Sequence, residues 1–428
     1  MHPIVRLLGI FAVFLITAAA WLVLGGVVTS RTSEQSFALD GRVSDLWGRP
    51  QVQLAPTFTE EWTVEVASTE NVTDPRTGLV SVVQKVERVP QSQRVDPSRS
   101  RLEVDLHLDQ RRKGLLWYPL YDVGFAGTWT YTHAGPARDL RVAFAFPDTD
   151  GSYDDFRFVV DGVDRAADVR PQGGAMSWVI PVTTGQVVTL DLGYESRGST
   201  EWTFQPTEGV GRVDDFALVM TTDFADIDYP RMTRSPNTRT PTADGWRLEW
   251  VNESLVSGTG IGMVMPQRVQ PGELAADLSF SAPFSLGLFF LWIYALGLLR
   301  GVEIHPINYV FIAGAFFAFD LLFAYTADHL PVEVAFGLAS FVSVGLVVSY
   351  LRLAVGSRFA FVEAGLAQVL YQVGFALAHF WDGFTGLTIT VLGIGTLFAL
   401  MQLTGRIRWA EVLSTRTRPA ADYSPSRT

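Results

Sequence analysis

The chain has 428 residues, of which 48% are hydrophobic and only 18% are charged, and it contains no cysteine. Soluble globular proteins carry about a quarter of charged residues, so this composition argues against an ordinary cytosolic enzyme, and the apolar content excludes a disordered chain. The net charge of −11 disfavours nucleic-acid binding, which relies on basic groups. The lack of cysteine excludes disulfides, zinc–thiolate sites, iron–sulfur clusters and cysteine nucleophiles.

The first predicted element is a membrane-spanning helix. Residues 7–28 are apolar, with no charge after Arg6. At about 1.5 Å per residue this run can cross a hydrocarbon core of about 30 Å. A cleaved signal peptide is the alternative, because Ala18-Ala19-Ala20 offers a small-residue cleavage site. The apolar run is longer than a typical signal core, so we predict an uncleaved transmembrane anchor over residues 1–29.

Residues 30–282 are predicted to form a large all-β domain, as one sandwich-like unit or as two smaller units. Apolar and polar residues alternate at Trp62–Val66, Leu102–Leu108 and Val187–Leu192. Asp161-Gly162 is typical of a two-residue hairpin turn. The stretch from residue 29 to residue 282 carries 24 basic and 36 acidic residues, so nearly all of the chain's negative charge lies there.

Five further apolar runs with short connections predict a compact five-helix transmembrane block over residues 283–405. Each run is close to the length that a membrane span requires. The runs are Pro283–Leu299, Ile307–Thr326, Val332–Leu351, Phe359–Phe380 and Leu387–Leu403. Residues 406–428 are rich in Arg, Thr, Ser and Pro and are predicted to form a disordered tail.

The placement of arginines predicts the orientation of these helices. With the N-terminus in the cytoplasm, the cytoplasmic segments carry nine arginines, whereas the short outer loops at residues 327–331 and 381–386 carry no Arg or Lys. The positive-inside rule therefore predicts that both termini are cytoplasmic and that the β domain lies on the outer side of the membrane.

One anchor helix, an outer β domain and five C-terminal helices resemble the architecture of the CreD-type inner membrane proteins of bacteria. Residues 304–309, Ile-His-Pro-Ile-Asn-Tyr, resemble the family's Leu-His-Pro-Met-Gln-Tyr segment, and residues 335–340 resemble its Ala-x-x-x-Ala-Ser pattern. Residues 406–409, Arg-Ile-Arg-Trp, are similar to its closing Arg-Arg-Ile-Asp-Trp. The resemblance implies a bacterial inner membrane location, a periplasmic β domain and a role in envelope stress. The resemblance does not assign a catalytic role to any residue of this chain.

Polar side chains within the predicted spans are the main candidates for a functional site. Asp320 lies in the third helix, whereas Gln368, Gln372 and His379 share one face of the fifth. A charged group inside a membrane costs at least about 2–3 kcal/mol and tends to face the interior of a bundle. We therefore predict that Asp320 is buried and hydrogen-bonded to Gln372. Helix packing is the favoured role of this polar cluster, and a proton or ion path is the alternative.

Other motifs carry weaker signals. The pair His305-Pro306 is predicted to open the third helix, where the first turn tolerates proline. Two groups of side chains are weak metal candidates, although an acidic turn and an exposed loop are the favoured interpretations. These groups are Asp148 with Asp150, and Asp328 with His329 and Glu333. No cofactor is expected.

The first functional hypothesis is a non-enzymatic inner membrane protein of envelope homeostasis or stress response. Its periplasmic β domain would bind a periplasmic protein or an envelope ligand, and the helices would form a platform in the lipid bilayer. The alternative is a transporter or channel that uses Asp320 as a proton or ion site. Against it, the sequence shows no inverted repeats or broken helices of the transporter type. An envelope hydrolase ranks third, because its site would need scattered acidic pairs.

Overall fold

The computed structural model describes residues 3–73, 75, 80–114, 116–381 and 383–405. Within these ranges, six helices are long and apolar enough to cross a membrane. The chain divides into a helical unit, containing residues 3–38 and 269–405, and a β unit, containing residues 39–113 and 117–268. This arrangement confirms the predicted fold class. The predicted tail at residues 406–428 lies outside the described residues.

The helical unit contains most of the first helix and all of the later ones. The helices are α1 Pro3–Trp47, α2 Pro271–Arg300, α3 Pro306–Thr326, α4 Val332–Ala354, α5 Phe359–Phe380 and α6 Phe384–Thr404. Two segments of α5, Phe359–Ala364 and Val369–Gly374, are wound as π-helix. Such turns leave a carbonyl group without its usual α-helical partner, so it can bind a neighbouring helix.

Two helices are longer than the sequence predicted. Helix α1 continues past residue 29 and ends where Gly48 takes a φ of +99°. Helix α2 begins at Pro271, so Pro283 lies inside the helix rather than at its start. Residues 30–47 and 271–282, assigned to the β domain from sequence, are therefore helical. Hydropathy marks the apolar part of a helix, whereas the ends depend on caps and on residues such as Pro271 and Gly48.

The β unit contains fifteen strands within the described ranges. They are β1 Gln51–Leu54, β2 Thr57–Thr73, β3 Val80–Val95, β4 Arg99–Lys113, β5 Leu116–Thr132, β6 Arg138–Ala145, β7 Tyr153–Val160, β8 Val163–Asp164, β9 Ala175–Val182, β10 Val187–Ser199, β11 Glu201–Gln205, β12 Gly211–Thr222, β13 Thr238–Pro241, β14 Trp246–Ser257 and β15 Ile261–Val264. They form an eight-stranded sheet, β13-β14-β12-β4-β5-β10-β7-β8, a four-stranded sheet, β3-β2-β6-β9, and a three-stranded sheet, β1-β11-β15.

All three sheets bury apolar side chains in one hydrophobic core. Strand β4 shows the cause, because Leu102, Val104 and Leu106 alternate with exposed residues and all three are buried. Burying each such side chain contributes about 1.5–3 kcal/mol to the stability of the fold.

The predicted hairpin turn is also confirmed. Asp161 and Gly162 both have positive φ angles and join β7 to β8, as a two-residue type I′ turn requires.

Candidate functional sites

Asp320 is buried in the helical unit, but its partner lies on α1 rather than on α5. Its side chain is 4% exposed, and Trp21 Nε1 donates a 2.8 Å hydrogen bond to Asp320 Oδ2. The Trp21 ring also packs against Phe317. The predicted bond between Asp320 and Gln372 is therefore wrong. The prediction compared depths along α3 and α5 only, whereas a tryptophan buried in mid-span needs an acceptor for its indole N–H.

The two glutamines of α5 form a separate network with α3 and α4. Gln372 Nε2 donates to the Phe316 carbonyl oxygen at 3.1 Å, and its Oε1 accepts from Ser343 Oγ at 2.8 Å. Gln368 Nε2 lies 2.8 Å from the same Gln372 oxygen and 3.0 Å from Ser343 Oγ. Both glutamines are buried. Polar contacts of this kind tie membrane helices together, with an average of about 0.6 kcal/mol per pair.

His379 has a third environment. Its Nε2 lies 3.0 Å from Ser281 Oγ on α2, and its Nδ1 lies 3.3 Å from the Phe375 carbonyl oxygen on its own helix. The four residues predicted as one intramembrane cluster thus occupy three places. Within the described ranges, Gln368 and Gln372 meet, whereas no hydrogen bond links either of them to Asp320 or His379.

The pair His305-Pro306 opens α3, as predicted. His305 is the N-cap residue, and its Nδ1 accepts a hydrogen bond from the Ile307 backbone N–H at 3.3 Å. Pro306 occupies the first helical position, where its missing N–H would have no intrahelical partner. His305 therefore has a structural role at the start of this helix.

The weak metal candidates are not assembled into a metal site. Asp328 pairs with Arg31, with a distance of 2.9 Å between Nη1 and Oδ2. The Asp150 backbone N–H donates to Asp148 Oδ1 at 3.0 Å, which is the favoured acidic turn. In the part of the chain that the structure describes, no group of three or more His, Asp or Glu side chains could hold a metal ion. His329 and Glu333 are therefore not joined with Asp328 in such a site.

The β unit contains a pocket of about 250 Å³, which we call the aromatic pocket. Its lining comes from several strands, including β2, β5, β6, β11 and β12, and from the connections β1–β2, β3–β4 and β11–β12. Five aromatic side chains from separate strands, each 1% exposed, form its floor, namely Phe58, Trp129, Phe144, Phe204 and Phe216. No local sequence motif predicts this pocket, because the residues that line it are far apart in the chain.

Charged side chains also line the aromatic pocket. Arg94 Nη1 and Glu208 Oε2 form an exposed ion pair at 2.9 Å, and both residues line the pocket. Arg212 is a further lining residue and pairs with Asp214 at 2.9 Å. An apolar wall with a few charged groups suits a ligand that has a hydrocarbon part and a polar end.

A buried charge network lies close to this pocket along β2. Glu60 accepts hydrogen bonds from the Tyr131 hydroxyl, from Arg138 Nη1 at 2.6 Å and from His133 Nδ1 at 2.6 Å. The other ring nitrogen of His133 lies 2.7 Å from the Pro136 carbonyl oxygen. Both ring nitrogens of His133 thus face oxygen atoms, one of the Glu60 carboxylate and one of the Pro136 carbonyl group.

The hydrogen bonds of this network determine the ionisation of Glu60. Burial of the carboxyl opposes ionisation, but the bonds from Tyr131, Arg138 and His133 together lower the pKa of Glu60 below its usual value. Burial and the bond to Glu60 raise the pKa of Tyr131. The network therefore holds an ionised carboxylate that joins β2, the end of β5 and β6.

Comparison with known proteins identifies the helical part of the chain. The sequence model of the family described as inner membrane protein CreD matches residues 282–410. No curated protein sequence matches the chain. A solved structure, a candidate nutrient-binding protein from Legionella pneumophila, is 10% identical, with 52% of this chain and 82% of that chain covered. Its TM-score of 0.28 carries no argument about fold or function. The predicted resemblance is thus confirmed over residues 282–410, where this multi-pass membrane protein is similar to the inner membrane protein CreD family.

Proposed function

We propose that this protein is a bacterial inner membrane protein of envelope homeostasis or stress response, with both termini in the cytoplasm. Its β domain lies in the periplasm and binds an amphiphilic envelope ligand in the aromatic pocket, and its helices form a platform. The aromatic pocket is the observation that carries the ligand proposal. Phe58, Trp129 and Phe144 offer an apolar wall, and Arg94 and Glu208 offer polar contacts for the ligand's other end.

The environment of Asp320 supports a platform rather than a transport path. A proton or ion site needs access to water from at least one side of the membrane. Trp21 occupies one carboxylate oxygen of Asp320, and Gln372 is bonded to α3 and α4. These contacts are what helix packing requires. A transporter or channel that uses Asp320 is the second candidate, and the Trp21 and Asp320 variants described in the Discussion distinguish the two.

The ligand proposal predicts that a photoactivatable fatty acid labels the aromatic pocket. Membranes that contain the full-length protein would be irradiated with a diazirine derivative of dodecanoic acid, and labelled peptides would be mapped by mass spectrometry. We expect labels on peptides that contain Phe58 or Phe204. Ala55→Trp, which fills part of the pocket, should reduce labelling at least tenfold. If the ligand can no longer bury two of its methylene groups in the pocket, it loses about 0.8 kcal/mol of binding free energy for each of them. This loss is enough for a tenfold reduction in labelling.

Ala67→Trp is the matched control for this experiment. Ala67 lies on an exposed part of β2, and the substitution adds the same indole group outside the pocket. Its labelling should equal that of the wild-type protein. Labels that miss the pocket peptides, or labelling that Ala55→Trp leaves unchanged, would contradict the ligand proposal.

A further inference from the structure

Arg6, near the start of α1, is a cation whose buried donors lack an acceptor. Its Nε and Nη2 atoms are buried and have no hydrogen-bond partner among the described residues. The guanidinium carbon lies 5.5 Å from the centroid of the Tyr294 ring, a contact that leaves these N–H donors unsatisfied. The buried Tyr309 hydroxyl lies close enough to the Arg6 guanidinium to interact with it electrostatically, but no hydrogen bond of good geometry joins the two groups. An unsatisfied buried donor destabilises the fold, and more so if it is charged.

Arg6 lines a pocket of about 340 Å³, which we call the Arg6 pocket. The other walls come from the last turns of α2, from the connection to α3, and from His305 and Pro306. A water molecule takes about 30 Å³ of liquid, so the volume corresponds to on the order of ten waters. It can therefore admit a group larger than a single water, such as a phosphate with part of a glycerol.

The end of α2 explains why the chain itself does not satisfy Arg6. The guanidinium packs close to the helix backbone at Gly297, where a Cβ atom would lie 3.8 Å from Arg6 Nη2, at ordinary van der Waals distance. The Val302 N–H donates to the Gly297 carbonyl oxygen at 2.9 Å, and the Gly301 N–H donates to that of Leu298 at 3.4 Å. Each of these carbonyl groups thus accepts a capping bond from the backbone, and neither accepts one from Arg6 Nε or Nη2.

The charges around the Arg6 pocket are compatible with a bound anion. The N-terminus of α3, capped by His305, is the positive end of a helix dipole. Glu363 does not line the pocket, and its Oε1 pairs with Arg300 at 2.6 Å. Glu303 also lines the pocket, but its side chain is exposed, so water reduces its repulsion of a bound anion.

We propose that the Arg6 pocket binds a phosphate group, and that its source is the headgroup of an anionic phospholipid. The Nε and Nη2 donors of Arg6 lie on one edge of the guanidinium and match two oxygens of a phosphate. Arg6 immediately precedes the apolar run of the first span, which places it at the level of lipid headgroups. The lipid would supply the acceptors that the protein lacks.

Native mass spectrometry of the full-length protein tests this proposal. Protein delipidated in a neutral detergent would be titrated with phosphatidylglycerol, and Arg6→Gln would be compared with Arg358→Gln. Arg358 is an exposed arginine that precedes another span and serves as the matched control. We expect Arg6→Gln to lower the affinity at least tenfold, because hydrogen bonds from a charged donor are stronger than those from a neutral amide. Arg358→Gln should bind as the wild type does.

Two further experiments complete the test. Competition with soluble phosphates distinguishes a lipid from a soluble phosphate, and the variant Arg6→Lys keeps the test valid if Arg6→Gln does not fold. Glycerol 3-phosphate should compete for the pocket only weakly, since it lacks the acyl chains that hold a lipid in place. Binding of inorganic phosphate at Arg6 without binding of phosphatidylglycerol would overturn the lipid assignment. Arg6→Lys keeps the charge but not the two-donor edge, and should lower affinity about threefold even if Arg6→Gln fails to fold. Equal binding by the wild type and Arg6→Lys, or an equal loss in Arg358→Gln, would overturn the site.

Discussion

Replacing Glu60 with Gln should destabilise the β unit by about 3 kcal/mol. The substitution leaves the His133 ring and the Arg138 guanidinium without their carboxylate, and it turns an amide N–H toward one of these groups. Removing one partner of a buried ion pair costs about 3–5 kcal/mol. We expect the lower end of that range, because 19% of the Arg138 side chain remains exposed to water.

Hydrogen exchange of the full-length protein measures this effect. Amides of β6, which carries Arg138, should exchange on the order of 100-fold faster in Glu60→Gln, since each 1.4 kcal/mol is a factor of ten. Glu61→Gln is the matched control on the next residue. Glu61 pairs with Arg141 at 2.7 Å on the more exposed side of the strand, where an ion pair contributes little to stability. Equal exchange in the two variants would contradict the account of a buried network.

The same network predicts how the stability of the β unit depends on pH. Folding lowers the pKa of Glu60 from its usual value of 4.5, so its contribution is complete above pH 4.5. The contribution declines as the pH falls below 4.5, toward the lowered pKa of the folded state. In Glu60→Gln this part of the acid sensitivity should disappear.

Trp21→Phe should be the most damaging single change at the contact between α1 and α3. It removes the indole N–H that binds Asp320 while the carboxylate stays buried. An unsatisfied buried acceptor costs about 1–3 kcal/mol. Asp320→Asn should be mild, because its amide oxygen can still accept from Trp21. Asp320→Leu should cost about 0.6–2 kcal/mol, since it leaves the indole without an acceptor.

Thermal stability in detergent, followed as the monodisperse fraction after heating, should rank the variants. The expected order, from most to least stable, is wild type, Asp320→Asn, Asp320→Leu and then Trp21→Phe.

Proton flux into proteoliposomes serves as the test of the transport alternative. Under that alternative the wild type conducts, and Asp320→Asn abolishes the flux with the protein level unchanged. A proton flux that depends on Asp320 would therefore contradict the platform proposal.

The membrane spans could be predicted from the sequence because hydropathy is a local property. The burial of Asp320 followed from the cost of charge in lipid, and the α3 start followed from the chemistry of His305-Pro306. The true partner of Asp320 did not follow, because depth along a helix does not say which helices touch. Trp21 was an available signal, since tryptophan is enriched at membrane interfaces and this one lies within the span.

In the β unit, alternation identified strands such as β4 and β10, but it could not give their order in the sheets. The parallel pairing of β4 with β12 joins segments more than 100 residues apart. Glu60, His133 and Arg138 meet only because β2, β5 and β6 pack together, and the aromatic pocket arises in the same way. Properties of this kind depend on tertiary packing rather than on local pattern.

Single-cysteine labelling in cells tests the central claim, that the β domain lies in the periplasm and the connections marked by arginines lie in the cytoplasm. The chain has no cysteine of its own, so Ser254→Cys on β14 and Ser357→Cys between α4 and α5 would each carry one reactive thiol. Both serines are exposed. A membrane-impermeant maleimide should label Ser254→Cys in cells whose inner membrane is intact and Ser357→Cys only after lysis. Labelling of Ser357→Cys in intact cells, with Ser254→Cys protected, would contradict the account.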